Sequence, residues 1–367
     1  MVGMIIVGEA LFETGVARVV GQKIISVVGT NEKVFIAALI LVSVLVSSFL
    51  SNTATAAMML PVAASAVAAS DGKFSKKNSF MVVGFSAVAG GGLTLVGSTP
   101  QLIAQSLLLE GGHETMGFFE LSYAGIPKII LLIVYYLTIG HTLQKKVFTF
   151  PEVQSDDTPA QQGTAEKDPK SFAKMCVSTG VLVLCIIGFV SEIWSIGVVA
   201  MVGAVICVVT GCISQKKVFQ KMDWTTIAII GCSFGFAAGL DRSGAGLLLA
   251  QSIINLFGDG ITPFILCAIF ALIAIILGNI MSHTATASIL IPIVIFVSME
   301  LGYDVKSIVM PTVIAANVTY LTPISTPPIT MTLAAGYRFM DYVKVGGLLN
   351  VLSYLLIVAM FPLLLNI

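Results

Sequence analysis

Charge is what this sequence has least of. Nineteen basic and nineteen acidic residues make up 10% of 367, against roughly 25% in a typical soluble domain. The balance is zero, so no basic stripe invites nucleic acid and none is expected as a partner. Histidine is nearly absent: His113, His141 and His283 are the three. The six cysteines fall between Cys176 and Cys267, mostly inside apolar runs, and form no C-x-x-C pair. They read as small packing residues rather than a redox or zinc framework.

Hydrophobic residues, by contrast, reach 57%, and the mean hydropathy is +1.00. Apolar runs of about 18 residues or more recur, the signature of an all-α polytopic membrane protein. The first run carries Glu9, Glu13 and Arg18 and no basic start, so it does not read as a cleavable leader. Most runs are long enough for one crossing, but two pairs are not. Residues 34–50 and 54–69 flank Ser51-Asn52-Thr53, and residues 262–278 and 285–299 flank Ser282-His283-Thr284. Arms of about 16 residues span about 24 Å, short of the ~30 Å hydrocarbon core. Each pair is expected to form a re-entrant helical hairpin, about 34–69 and about 262–299.

The order of features repeats. Glu13-Thr14-Gly15 corresponds to Arg242-Ser243-Gly244, and "SNTATA" to "SHTATA". Each tip serine is followed ten residues later by a proline, Pro61 or Pro292. Further on, "GSTPQLI" corresponds to "ISTPPIT". Matches in one order at nearly one spacing argue for duplication. The expected division is a first repeat over 1–147, a polar cytoplasmic linker over 148–171 and a second repeat over 172–367. With both hairpins re-entrant, only Lys128, Arg242 and Lys306 fall on one side. The other sixteen of the nineteen basic residues mark the opposite side as cytoplasmic. The repeats then come out inverted.

Non-helical backbone survives at membrane depth only where protein or a water-filled site surrounds it. Inverted repeats with broken helices near the midplane point to a secondary transporter. The freed N–H ends favour anions, and C=O ends can hold cations. The oxygens of Ser51, Asn52 and Thr53 suit a small hard cation, and their donors suit carboxylate or sulfate oxygens. Serine and threonine also pack between membrane helices simply as small residues. The duplication, the short arms and the two Thr-Pro breaks weigh against that as their whole role. Two enzyme-like motifs fail on context, so no enzyme is expected. "GCSFG", 231–235, lies in an apolar helix and not at a strand-to-helix elbow. "AGGGLTL" lacks the Gly-Lys-Ser/Thr ending of a phosphate loop.

"LSNTATAAMMLP" followed by "GGGLTLVGSTPQLI" resembles the divalent anion:sodium symporters, carriers of dicarboxylates, citrate and sulfate. The likeness runs over nearly the whole chain. It implies sodium-coupled symport by an elevator-like mechanism in a homodimer in a bacterial cytoplasmic membrane. Na⁺ is the coupling ion, and no other cofactor is implied. One sodium would lie at Ser51, Asn52, Gly97 and Ser98, and a second at Ser282, His283, Ser325 and Thr326. The anion would meet Asn52, Thr53, Thr99, His283, Thr284, Thr326 and Pro327. His283 departs from the family's asparagine. It either substitutes as a neutral hydrogen-bonding group or titrates and brings a proton into the coupling. Gln101 and Ile329 also depart from the usual pattern. Relatives carry two to three further helices before the Glu13–Gly15 segment, so the resemblance implies a scaffold short at that end. The alternatives are a proton-coupled or exchange-type anion transporter, or a channel-like or non-transporting homologue.

Overall fold

A computed structural model of the chain describes residues 2–16, 19, 31–68, 70, 72–150, 169–191, 194, 196–222, 224–248, 251–252 and 261–364. Most of the expected linker therefore lies outside the described residues. Helices dominate, with no strand among the described residues. In chain order they are α1 (Val2–Glu13), α2 (Glu32–Ser47), α3 (Asn52–Ala68), α4 (Lys76–Gly90), α5 (Thr99–Glu110) and α6 (Ser122–Tyr135). A π-turn (Tyr136–Gly140) leads into α7 (His141–Val147). Then come α8 (Pro169–Ser191), α9 (Ile196–Val209), α10 (Gln215–Lys221), α11 (Trp224–Ser243), α12 (Pro263–Ile280), α13 (His283–Glu300) and α14 (Val305–Ala316). The last are the short α15 (Pro327–Met331), a 3₁₀ turn (Thr332–Ala335) and α16 (Phe339–Leu364).

Among the described residues, five helices are long and apolar enough to cross a membrane. They include both α12 and α13, each 18 residues. The second hairpin's arms are thus longer than the sequence reading had them, because α12 runs on to Ile280 and α13 starts at His283. Two residues, Met281 and Ser282, are all that separate them.

Local chemistry sets these boundaries. Thr262 Oγ1 accepts from Ile265 N at 3.3 Å, and Pro263 supplies the first-turn φ of α12. Asn31 Oδ1 accepts from Lys33 N at 3.0 Å to start α2, and Asp304 does the same for α14 through Ser307 N at 2.8 Å. The breaks read at Gly15 and Gly244 are both real: the backbone turns left-handed at each, φ +78° and +69°. Glycine adopts that conformation without a Cβ clash, which stops α1 at Glu13 and α11 at Ser243.

The helices gather into two compact units. The first holds Met1–Gly91, Tyr136–Met222 and Met331–Tyr337. In it, α2, α3 and α4 pack on one another, and α1 packs on α8 and α9. Backbones touch where glycine allows it. A Cβ on Gly90 of α4 would sit 2.6 Å from both Cα and O of Val44 in α2. Gly90→Ala is therefore expected to lower the melting point clearly, since backbone must shift to admit it. Unchanged thermal unfolding in detergent would contradict that crossing.

A buried polar cluster closes one end of this unit. Glu32 accepts from Asn78 Nδ2 at 2.8 Å, lies 2.8 Å from His141 Nε2 and pairs with Lys145 Nζ at 3.2 Å. Burial pushes the Glu32 carboxyl up, but these three partners outweigh it and hold the group below its ordinary value. Charge patterning assigns Lys145 of this cluster to the cytoplasmic side.

The second unit holds Gly92–Tyr135, Asp223–Thr330 and Arg338–Ile367. Here α12 and α13 pack on α14, α13 also packs on α5 and α11, and α16 packs on α6, α12 and α14. Phe264 against Phe361, with Tyr354 donating to Ala268 O at 3.3 Å, sets α12 and α16 antiparallel. Lys306 pairs with Glu114 at 2.7 Å and Glu120 at 2.8 Å. These ion pairs join the 111–121 loop to the start of α14, two stretches that charge patterning assigns to the same, non-cytoplasmic side.

Candidate functional site

Each tip begins a helix with its serine. Ser51 Oγ accepts from Ala54 N at 3.2 Å, and Ser282 Oγ accepts from Ala285 N at 3.1 Å. The hydroxyls satisfy first-turn N–H groups that no helical carbonyl reaches. That fixes where α3 and α13 start and leaves each hydroxyl oxygen one further lone pair. Pro61 and Pro292 lie inside these two helices. Without an N–H, they cannot donate to the carbonyls of Ala57 and Ser288.

In the first unit, Asn52 is buried while Ser51 and Thr53 are exposed. Asn52 Oδ1 lies 2.8 Å from Ser47 Oγ, which is also 2.6 Å from Ala87 O in α4. Gly91, just past α4, approaches so closely that a Cβ there would sit 2.1 Å from Asn52 Oδ1. The end of α4 therefore acts as a seat for the first tip. Thr55 is fully buried, and its hydroxyl has no hydrogen-bond partner.

The second unit contains the first break, 92–98, together with the second tip and the second break, 317–326. The first break is held by Leu95 N donating to Phe118 O at 3.0 Å and Ser122 Oγ to Leu93 O at 2.5 Å. Gly97 and Ser98 are buried, and Thr99 is half-buried at the start of α5. Ser98 Oγ donates to Asn317 Oδ1 at 2.7 Å. One hydrogen bond thus ties the first Thr-Pro break to the start of the second.

Asn279, three residues before Ser282, does the equivalent work for the second tip. Its Nδ2 donates to Val318 O at 2.9 Å, and its Oδ1 accepts from Leu321 N at 2.8 Å. Its own carbonyl accepts from Thr322 Oγ1 at 2.6 Å. The non-helical backbone of the second break is thereby satisfied by one side chain at the end of α12. Gly278 makes the approach possible, since a Cβ there would lie 3.1 Å from Ala316 O.

Around this junction His283, Thr284, Ser325 and Thr326 are buried, Ser282 is half-buried and Pro327 is exposed. Ser325 Oγ is committed to the carbonyls of Thr319 and Thr322, both at 3.0 Å. The hydroxyls of Thr286, Thr319 and Thr326 are buried with no hydrogen-bond partner. A buried hydroxyl without a partner costs about 1–3 kcal/mol, and Ser353 of the same unit carries another. The donor set is neutral oxygen. No group of three or more His, Cys, Asp or Glu side chains is placed to hold a metal ion among the described residues. Such a set suits an alkali cation and the N–H-rich helix starts suit an anion.

Sequence reasoning missed Asn279, Asn317, Ser47 and Gly91. The two asparagines had a signal: amides inside otherwise apolar runs, where unsatisfied polar groups are expensive and so usually bonded.

Comparison with known proteins fits this picture. The sequence profile of the family described as citrate transporter matches residues 1–308 and 186–367. An uncharacterized transporter of Haemophilus influenzae is 28% identical over 358 residues, 94% of this chain and 75% of that one. Sodium-dependent high-affinity dicarboxylate transporter 3 of Caenorhabditis elegans is 24% identical, over 95% of this chain and 71% of its own. The crystal structure of the YdaH transporter of Alcanivorax borkumensis superposes with a TM-score of 0.63 at 17% identity. That superposition covers 100% of this chain and 83% of YdaH.

Proposed function

The chain belongs to the citrate transporter family, and from that premise we propose that it is a sodium-coupled symporter of a divalent anion. It is an integral membrane transporter and not an enzyme. The substrate is a dicarboxylate, citrate or sulfate. Relatives named as sodium-dependent dicarboxylate transporters support both the ion and the anion class. The inverted repeats, elevator-like movement, homodimer and bacterial cytoplasmic membrane belong to the same reading.

One observation carries it: the buried hydroxyls of Thr319 and Thr326 have no hydrogen-bond partner, beside the tip that Asn279 binds to the break. Buried oxygens without a protein partner are ready ligands for a partly dehydrated Na⁺. Ser282, His283 and Ser325 complete the proposed sodium site. The anion is read at Thr284, Thr326 and Pro327 of this region, with Asn52, Thr53 and Thr99. Ser51, Asn52, Gly97 and Ser98 stay the residues proposed for the other sodium.

Thr326→Val keeps the shape and removes the oxygen. It is expected to raise the sodium concentration for half-maximal uptake about tenfold, equivalent to about 1.4 kcal/mol. Sodium titration of succinate or citrate uptake into proteoliposomes checks this. An unshifted sodium curve would remove Thr326 from the site. A proton-coupled variant of the reading rests on His283, buried at the second tip. Uptake flat from pH 5.5 to 8 in wild type and His283→Asn alike would dismiss it.

A further inference from the structure

Neither tip carries a lysine or arginine, yet the proposed substrate carries two negative charges. The nearest thing to a counter-charge is Lys128, in the second turn of α6. Its side chain is 2% exposed, and Nζ is buried with no hydrogen-bond partner. It is the one lysine among the described residues that is fully buried, and it lies in an apolar stretch long enough to cross a membrane, Ser122–Val147. An ionisable group at such depth normally faces the protein interior and pairs with something, because a lone charge there is costly.

The geometry says what it faces. Ala124, Gly125, Lys128, Ile129, Leu132 and Tyr135 form the buried stripe of α6, three and four residues apart, hence one face. At the start of that face, Gly125 meets the first break: a Cβ on it would lie 2.9 Å from Gly92 O and from Leu93 Cδ2. Ser122 Oγ donates to Leu93 O in the same place. At the other end, Tyr135 OH donates to Val345 O of α16 at 2.6 Å. Lys128 is one turn from Gly125, and helical side chains lean toward the helix N-terminus. Its ammonium is therefore carried toward the break that leads into Ser98 and Thr99.

Charged and titratable groups on the packed elements are already engaged or elsewhere. Asp341 Oδ2 of α16 accepts from Arg338 N, and Tyr354 OH donates to Ala268 O. Glu120, ahead of α6, pairs with Lys306. Tyr342 and Lys344 complete the titratable set of α16 there, and the break itself, 92–98, has none. None of these hydrogen-bonds Nζ.

We infer that Lys128 is an anion-binding residue: it pairs with one carboxylate of the transported dianion beside the first break and sets the preference for divalent over monovalent anions. The inference rests on the anion-symport reading above and adds a residue and a selectivity rule to it. Lys128→Met replaces the ammonium with an apolar tip of similar length. In proteoliposomes it is expected to raise the KM for succinate at least tenfold. Inhibition of wild-type uptake by propionate is expected to be weak and to stay unchanged in the variant. Lys128→Arg should keep part of the succinate affinity. A purely structural lysine would instead give equal losses for both anions, or a fall in kcat alone, and either result overturns the assignment. Should Lys128→Met fail to fold, succinate and propionate binding to wild type as a function of chain charge state decides: wild type binding both with equal affinity also overturns it. A wild-type chain that binds succinate, citrate and sulfate not at all overturns the symport reading itself, and this inference with it.

Discussion

Asn279→Leu is expected to abolish uptake, to below about one hundredth of wild type, while helix content persists. The leucine has the same branched shape and number of side-chain heavy atoms but makes neither bond to the break. Val318 O loses its donor and Leu321 N its acceptor, both in buried backbone. Each buried group left unmatched costs about 1–3 kcal/mol, a large share of the ~5–15 kcal/mol that holds a typical fold. The second break then loses its shape at the point where Thr319, Ser325 and Thr326 are presented. Asn279→Asp keeps the acceptor for Leu321 N but sets a carboxylate oxygen against the carbonyls of Ile275 and Val318 in a buried place, so its defect is expected to be no milder. Uptake by Asn279→Leu at the wild-type rate would show that the break does not need this side chain.

Gly91→Ala is the second large effect, and it differs in kind. The added Cβ meets a side chain, Asn52 Oδ1 at 2.1 Å, rather than backbone. Asn52 can rotate away, so the fold should tolerate the change better than it tolerates Gly90→Ala, where Val44 backbone is in the path. The cost falls on the tip instead. Uptake is expected to drop at least tenfold, with thermal unfolding close to wild type. Paired measurements of uptake and melting for the two neighbours test this: Gly91→Ala should move mainly the first, Gly90→Ala mainly the second. The reverse pattern would mean that the seat described for Asn52 is wrong.

Much of this architecture was legible because membrane segments obey few rules. Length, hydropathy and the rule against unsatisfied backbone located the apolar helices. They also located both tips and both Thr-Pro breaks to within a few residues. Ser51 and Ser282 were legible only as parts of the polar tips; α3 and α13 start at Asn52 and His283, two residues ahead of the arms expected from 54 and 285. What could not be read were contacts between distant residues. Asn279 and Asn317 are polar residues in apolar context, but only the fold tells that one binds Val318 and Leu321 and the other Ser98. Gly91 was one of three consecutive glycines in "GGG", and nothing in the string says which of them touches a side chain 39 positions earlier. Lys128 was counted in the charge balance, and its burial became visible only when α6 was packed against α16 and the first break. The arm lengths of the second hairpin were underestimated because its polar tip is only two residues long.

The central claim is coupled transport, and one measurement addresses it directly: uptake of labelled succinate, citrate and sulfate by the full chain in proteoliposomes under an inward sodium gradient. The expected result is accumulation of at least one of these anions above its external concentration, collapsing when choline replaces sodium or when the gradient is dissipated. Uptake that only equilibrates with the outside, or that proceeds equally well without sodium, would contradict the account.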